Sequence, residues 1–454
     1  MAQKRMDLTT GTPIRQILLF SLPLVIGSLF QQMYSFVDTI MVGRLISNDA
    51  LAAVGSVSSL NFLVIGFVGG TCSGFGIPLA KAIGAKDTVE YQKYLWNGSW
   101  ICILLAIVMT LLTNTLLYPL LRLMNTPADI LSTSATYIRI LFCGIPITIL
   151  YNFTSSILRS SGDSQRPTNH LLISSCINIV LDYIFIVPLS MGVSGAALAT
   201  VLSQLFSGLL NLRWIVYKTD LLKGGEGLRQ PSVSHILHLC KTGFPMGFDV
   251  SIVALGSVAM QSAINTLGTA AVTGQTAGEK VRQIFTIPMS SVGTGMATYA
   301  GQNDGAKRYD RLKEGLKGAI TLQLIYSVLA CLVINLGKHA FVSLILGPDS
   351  GQNGIYASQY LTVMSFLFWV NGTMFALRNT LTGMGYSAYS VFSGICEMIG
   401  KSLGGLLAVK WFGFWGICIA TPLAWFLAMI YCGILVRHFL KKRLSGQLTE
   451  KIAS

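Results

Sequence analysis

The sequence predicts an all-α polytopic membrane protein: twelve transmembrane helices in two six-helix lobes related by a parallel internal repeat, with a cleft between them. Three observations predict it. First, 52% of the 454 residues are hydrophobic and only 11% are charged, whereas a soluble chain carries roughly 25% charged residues. Second, apolar runs long enough to cross a bilayer recur along the whole chain, twelve in all. Third, the second half repeats the first. GFPMGFD answers SLPLVIG, with Pro245 in the place of Pro23. GAKRYDRL answers GAKDTVEY, and FGFWGICIAT answers MGVSGAALAT. ALRNTLTGMG answers ILRSSGDSQ, with Arg378 in the place of Arg159. The four matches come in the same order and at nearly one offset, close to half the chain length. Six spans per half is an even number, so both halves run in the same direction and their symmetry axis follows the membrane normal.

The first span covers residues 14–44 and contains Pro23, Gln31, Gln32 and Asp38. A carboxylate at the centre of a membrane helix costs roughly 2.5–3.5 kcal/mol on insertion scales, so it usually faces a bundle interior or a water-filled cavity. Asp38 is therefore a candidate functional residue, the alternative being a cap at the outer end of the helix, before Gly43 and Arg44. Further spans are predicted at 51–80, 94–119, 134–158, 170–188 and 193–217. A polar segment, 218–241, with GGEG and Pro231, reads as a linker that divides the chain nearly in half. The expected organisation is an N-lobe over 1–217, that linker, a C-lobe over 242–440 and a tail over 441–454. The N-terminal sixteen residues are polar and no small-residue cleavage site follows the first apolar run, so no signal peptide is expected.

The net charge of +14 is topological rather than a nucleic-acid footprint. With both termini placed in the cytoplasm, 24 of the 32 Lys and Arg residues fall on the inner side. Seven fall outside (Arg44, Arg122, Arg139, Lys280, Arg282, Lys338, Lys410), and Lys401 lies within a helix. That bias is the positive-inside rule, and it predicts a multi-pass protein of the cell (inner) membrane with cytoplasmic termini. The nine cysteines fall mostly in apolar segments without CxxC spacing and read as small hydrophobes.

Chemistry concentrates in the fifth span, where SSCINIVLDYIFIVP places Asn178 and Asp182 four residues apart on one helix face. Asp182 is near mid-membrane, where capping does not explain it; the alternative role is a structural pair bonded to neighbouring helices. Thr200 on the sixth span offers a further hydroxyl, though a lone Thr more often packs or bonds to backbone. If Asp38 and Asp182 meet, both cannot stay ionised in a dry site without a cation. Such a pair takes a proton or a hard cation such as Na+, with Asn178 and Thr200 supplying neutral oxygens. No intramembrane Cys or His cluster suits a soft metal.

The second half places its acids differently. Asp249 follows Pro245 by one turn and has no counterpart in the first half; it is either functional or a cytoplasmic cap. Glu397 and Lys401, spaced i,i+4, are expected to pair with each other, and Lys401 stands where the repeat would place Asp182. Glu279, Lys280 and Arg282 read as a solvated cluster at the outer face. Met33, Tyr34, Phe36, Met260, Phe285 and Met289 are candidates for an adaptable apolar pocket facing the cleft, ordinary packing being the alternative.

With these residues in place the chain resembles the multidrug and toxic compound extrusion (MATE) family of cation-coupled efflux transporters, over nearly its whole length. The resemblance rests on P-x3-G-x3-QQ-x5-D-x2-MVGR (residues 23–44), ALAAVG, the GAK loops, SSGDSQRP, NIVLDYIFI and the GxxGAALAT element. Asp38, Tyr137, Asn178, Asp182 and Thr200 match the N-lobe cation network of the prokaryotic DinF-like branch. Asp249 falls where another bacterial branch has an acid on its seventh helix. That branch has a second acid on its tenth helix, and the corresponding stretch here, GMGYSAYS, has none. Pro23 matches a position where the first helix bends.

The resemblance implies a V-shaped bundle working by alternating access. It would act as an antiporter in which entry of Na+ or H+ drives export of amphipathic, often cationic, drugs and other toxic organic compounds. It implies a monomer with small-molecule organic substrates, the lipid bilayer as its partner, and no cofactor beyond the coupling ion. A flippase for a lipid-linked precursor is the alternative. It would need basic residues in the cavity to meet pyrophosphate, and Lys401 is the only clearly intramembrane base in the sequence reading. An enzyme is not expected, because all five His residues lie at helix ends or loops, away from any nucleophile at membrane depth.

Overall fold

A computed structural model describes residues 6–124, 126–222 and 226–453. Among the described residues the chain is helical throughout, with no strand. The first half comprises α1 (Pro13–Leu45), α2 (Asn48–Gly84), α3 (Thr88–Thr115), α4 (Leu117–Leu123), α5 (Ala128–Cys143), α6 (Ile145–Ser160), α7 (Gln165–Ile186) and α8 (Val193–Lys218). A 3-10 turn at Glu226–Arg229 follows. Next come α9 (Val233–Asn265), α10 (Thr269–Gly305), α11 (Tyr309–Leu346), α12 (Gly351–Phe366), α13 (Phe368–Gly383), α14 (Ser387–Phe412) and α15 (Phe414–Ala453). Lys223, Gly224 and Gly225 of the expected linker lie outside the described residues.

Nine of these helices are long and apolar enough to cross a membrane singly, and the bent pairs α5/α6 and α12/α13 bring the number to eleven among the described residues. The remaining long helix, α10, has 37 residues but carries Gln, Thr, Glu, Lys and Arg within its apolar stretch. The span predicted over 134–158 is broken rather than continuous: α5 and α6 meet at 45° around Gly144. Pro146, at the start of α6, explains the break, since it donates no hydrogen bond and its ring excludes the carbonyl four residues earlier.

The internal repeat is written in the backbone as well as the sequence. Lys86 and Lys307, at matching places in the two GAK loops, both take a left-handed conformation (φ 58° and 54°). Gly192 and Gly413, matched before α8 and α15, do likewise (φ 57° and 54°). The halves diverge in detail: Asp87 caps α3 by accepting from the Glu90 amide at 2.9 Å, whereas Arg308 at the start of α11 makes no side-chain cap.

The chain forms two compact units, and the dividing points fall inside helices. One unit holds Ile26–Gly247; the other holds Asp7–Val25 and the chain from Phe248 onward. So the opening turns of α1 pack with the second half, and those of α9 pack with the first. Small residues make both contacts possible, because they let membrane helices approach backbone to backbone. In the first unit, Gly70 and Gly74 of α2 meet Gly243 and Gly247 of α9. A Cβ on Gly74 would lie 2.6 Å from the Gly243 Cα, and one on Gly70 would lie 2.6 Å from the Met246 carbonyl. In the second unit, Gly295 of α10, the counterpart of Gly74 in the repeat, instead leaves room for the side chain of Ser21 of α1. Just before α1, Arg308 Nη1 donates to the Thr9 carbonyl at 2.9 Å and Arg311 Nη1 to the Gly11 carbonyl at 2.8 Å, which ties this segment to the second unit.

Candidate functional site

In the first unit, α7 presents a polar stripe at successive helical turns: His170, Ser174, Asn178 and Asp182. The first two are used structurally. His170 Nδ1 pairs with Asn211 Oδ1 of α8 at 2.7 Å, and Asn211 Nδ2 donates to Ser155 Oγ of α6 at 3.0 Å. Ser174 Oγ donates to the Ser203 carbonyl of α8 at 2.5 Å. The other two are not. Asn178 and Asp182 are 1% and 0% exposed, and neither side chain has a hydrogen-bond partner among the described residues.

Helix α1 brings the second carboxylate. Gly27 lies against α7, where a Cβ would be 3.2 Å from Thr168 Cγ2 and 3.5 Å from Leu171 Cδ2. The step from Gly27 to Asp38 equals that from Leu171 to Asp182, about three helical turns or roughly 16 Å along each helix. The two helices run side by side in the same direction, and Asp38 comes within electrostatic range of Asp182. Tyr137 of α5 and Tyr34 of α1 are within range of both carboxylates. Tyr137 is positioned by Ser134, one turn earlier, whose Oγ donates to the Ala53 carbonyl of α2 at 3.0 Å. Thr200 is half-buried on α8, and its hydroxyl donates to the Ala196 carbonyl at 3.1 Å, which leaves its oxygen able to accept or ligate.

Five buried polar atoms here thus lack a hydrogen bond among the described residues: Asp38 Oδ1, Asn178 Oδ1 and Nδ2, and both Asp182 oxygens. An unsatisfied buried group costs about 1–3 kcal/mol, and more when charged. Four of the five atoms are oxygens and two carboxylates contribute three of them, a set that suits a hard monovalent cation or a proton. No ion pair to either carboxylate forms among the described residues. Tyr34, placed among the pocket candidates by sequence, stands instead beside the carboxylates; its spacing of four residues from Asp38 was the available signal.

The second unit handles its charges in the opposite way. Asp249 is neither a terminal cap nor isolated. It lies within α9, and its Oδ2 is 3.4 Å from Arg378 Nη1 of α13. Arg378 Nη2 in turn bonds Glu397 Oε1 of α14. The expected Glu397–Lys401 pair does not form. Arg378 takes Glu397, and Lys401 Nζ reaches Ser257 Oγ of α9 at 3.4 Å. Lys401 is therefore not the only buried base: Arg378 is 8% exposed and Lys401 7%. Glu279 and Arg282 are not a solvated cluster either, since they pair with each other and Glu279 Oε2 also accepts from Tyr360 at 2.6 Å.

The apolar pocket candidates separate. Met260 and Met289 are buried in the core of the second unit, and Phe285 packs against that core with its ring edge-on to Phe341 at 5.7 Å. These three serve as packing in this structure. Met33 and Phe36 are exposed on α1. Pro23 lies inside the unbroken helix α1, just before the chain passes from one unit to the other.

Comparison with known proteins bears on what this arrangement belongs to. The MatE family model matches residues 23–184 and 245–402, both halves of the repeat. The chain is 28% identical over 376 residues to the probable multidrug resistance protein YoeA of Bacillus subtilis, covering 81% of each chain. It is 23% identical to the multidrug export protein MepA of Staphylococcus haemolyticus, covering 90% of this chain and 91% of that one. Its fold matches a solved outward-facing multidrug resistance MATE transporter with a TM-score of 0.90, at 22% identity, over 98% of this chain and all of that one.

Proposed function

This chain belongs to the MATE family of multidrug efflux transporters, and we propose that it exports amphipathic, often cationic organic compounds in exchange for Na+ or H+ taken up at Asp38, Asn178 and Asp182. It is a transporter and not an enzyme. The observation that carries this reading is the buried cluster on α1 and α7 whose carboxylate and amide atoms have no partner among the described residues. Tyr137 and Tyr34 lie within range of both carboxylates, and Thr200 is proposed as a further oxygen ligand.

Ionised together, Asp38 and Asp182 repel and demand water between α1 and α7; a bound cation removes that demand and lets the helices close on a dry site. The ion therefore has different affinities for the two arrangements, and only that difference can shift their balance. Pro23 gives α1 a point where it can bend in response. Alternating exposure of the site then couples ion entry to substrate exit. In this reading the chain works as a monomer with both termini in the cytoplasm, as the bias of its basic loop residues supports. Flipping of a lipid-linked precursor is disfavoured because both buried bases of the second unit, Arg378 and Lys401, already have partners.

The test is dye extrusion from proteoliposomes under separately imposed Na+ and proton gradients. Extrusion driven by one of them and lost in Asp182→Asn is the expected result; gradient-driven extrusion at the parental rate in Asp182→Asn would sink the proposal.

A further inference from the structure

Within the second unit, Asp249 on α9 and Glu397 on α14 converge on one guanidinium, that of Arg378 on α13. Helix α14 comes close to α9 at Gly394, where any Cβ would collide with Asp249 Oδ1. Asp249 spends one oxygen on Arg378, and its other, Oδ1, is buried without a hydrogen bond among the described residues. Lys401 lies within electrostatic range of Glu397 and Arg378 and, on its other side, of the Glu279–Arg282 pair. Three acids, Asp249, Glu279 and Glu397, thus face three bases, Arg282, Arg378 and Lys401. Fully ionised, the cluster is neutral. The first unit's Asp38 and Asp182 have no such internal counter-charge among the described residues.

We propose that Asp249 and Glu397 form a monovalent-cation site in the second unit that is permanently filled by the chain's own Arg378, so that ion exchange is confined to the first unit. The inference rests on the first unit being the coupling site. A tethered guanidinium at this distance excludes a free ion by occupying the same oxygens and by supplying the charge the ion would bring. Removing one partner of a buried ion pair leaves an uncompensated charge. Arg378→Gln therefore leaves the cluster one negative charge in excess, which a single Na+ or proton would balance. Adding Glu397→Gln restores neutrality and removes the demand.

The experiment uses purified full-length chain in nanodiscs with Asp38→Asn and Asp182→Asn as background. Radioactive sodium binding and proton uptake near neutral pH are both measured. Arg378→Gln is expected to gain one cation equivalent per chain over the background, as sodium or as a proton. Arg378→Lys should gain none, and Arg378→Gln with Glu397→Gln should lose the gain. A folded Arg378→Gln that gains nothing overturns the proposal, as does a gain that survives Glu397→Gln. Thermal melting is read in parallel. If Arg378→Gln is recovered only with sodium or at acidic pH, or only with Glu397→Gln, the charge balance is supported. If the neutral double variant also fails to fold, the proposal is overturned. Should the background itself still bind the parent's cation, the first-unit reading fails. The difference made by Arg378→Gln still decides this inference.

Discussion

Asp182 and Lys401 stand at corresponding places in the two halves of the repeat, and their surroundings are opposite. Asp182 is fully buried with both carboxylate oxygens unbonded among the described residues, whereas Lys401 Nζ is held by Ser257 at 3.4 Å as a member of a charge-balanced cluster. One half of the repeat keeps an unmet electrostatic demand; the other has met it internally. The predictions below follow from that asymmetry and from the contacts that build each unit.

Asp182→Asn removes a buried carboxylate that no described protein group stabilises. Efflux should fall by at least about tenfold, equivalent to roughly 1.4 kcal/mol or more in the coupled step, while the melting temperature holds or rises because the desolvated charge is gone. Dye extrusion and thermal melting of the same preparation check both halves. A variant that loses stability together with transport would show Asp182 to be structural.

Ser174 should behave in the contrary way. Its hydroxyl bonds the Ser203 carbonyl, so Ser174→Ala should cost about 1 kcal/mol of stability and leave the efflux rate per folded molecule unchanged. Asn178→Ala, one turn further along α7, should lose efflux without a comparable loss of stability. Melting curves set against initial extrusion rates separate the two.

Gly74 makes a backbone-to-backbone contact with Gly243, so Gly74→Leu should destabilise the first unit by about 1–3 kcal/mol through overpacking. Gly55, around which a Cβ would meet nothing within 4 Å, provides the control, and Gly55→Ala should be nearly neutral. Yield of folded protein and melting temperature are the measurements.

Pro23 sits inside α1 just before the helix changes units. If α1 bends there during transport, Pro23→Ala should slow efflux while leaving dye affinity within a few-fold of the parent. Transport at the parental rate would mean that α1 moves without bending at this residue.

Orientation is checked by cysteine labelling in intact cells. An impermeant thiol reagent should tag Asp349→Cys, before α12, and spare Gln230→Cys, after the 3-10 turn, both positions being exposed. The reverse pattern would invert the topology and the direction of transport.

The sequence alone determined the class, the repeat and the candidate carboxylates. Apolar run length, charge placement and a constant offset are properties of the chain that need no partner to be read. The predicted bounds of α1 (14–44 against Pro13–Leu45) and of α8 (193–217 against Val193–Lys218) differ from the structure by no more than a single residue at any end. Helical spacing also announced that Asn178 and Asp182 share a face. It could not announce that His170 and Ser174, on the same stripe, are consumed by Asn211 and Ser203, because those partners come from another helix. For the same reason it assigned Glu397 to its i,i+4 neighbour Lys401. Tertiary structure gave Glu397 to Arg378, since a guanidinium brought in by α13 can bridge two carboxylates at once where a lysine one turn away cannot. Nor does a sequence offset reveal that α1 and α9 each begin in the opposite unit. That division depends on small residues opposing one another across helices, Gly74 with Gly243 and Gly295 with Ser21, a matter of how close two helices come, which only the folded chain decides.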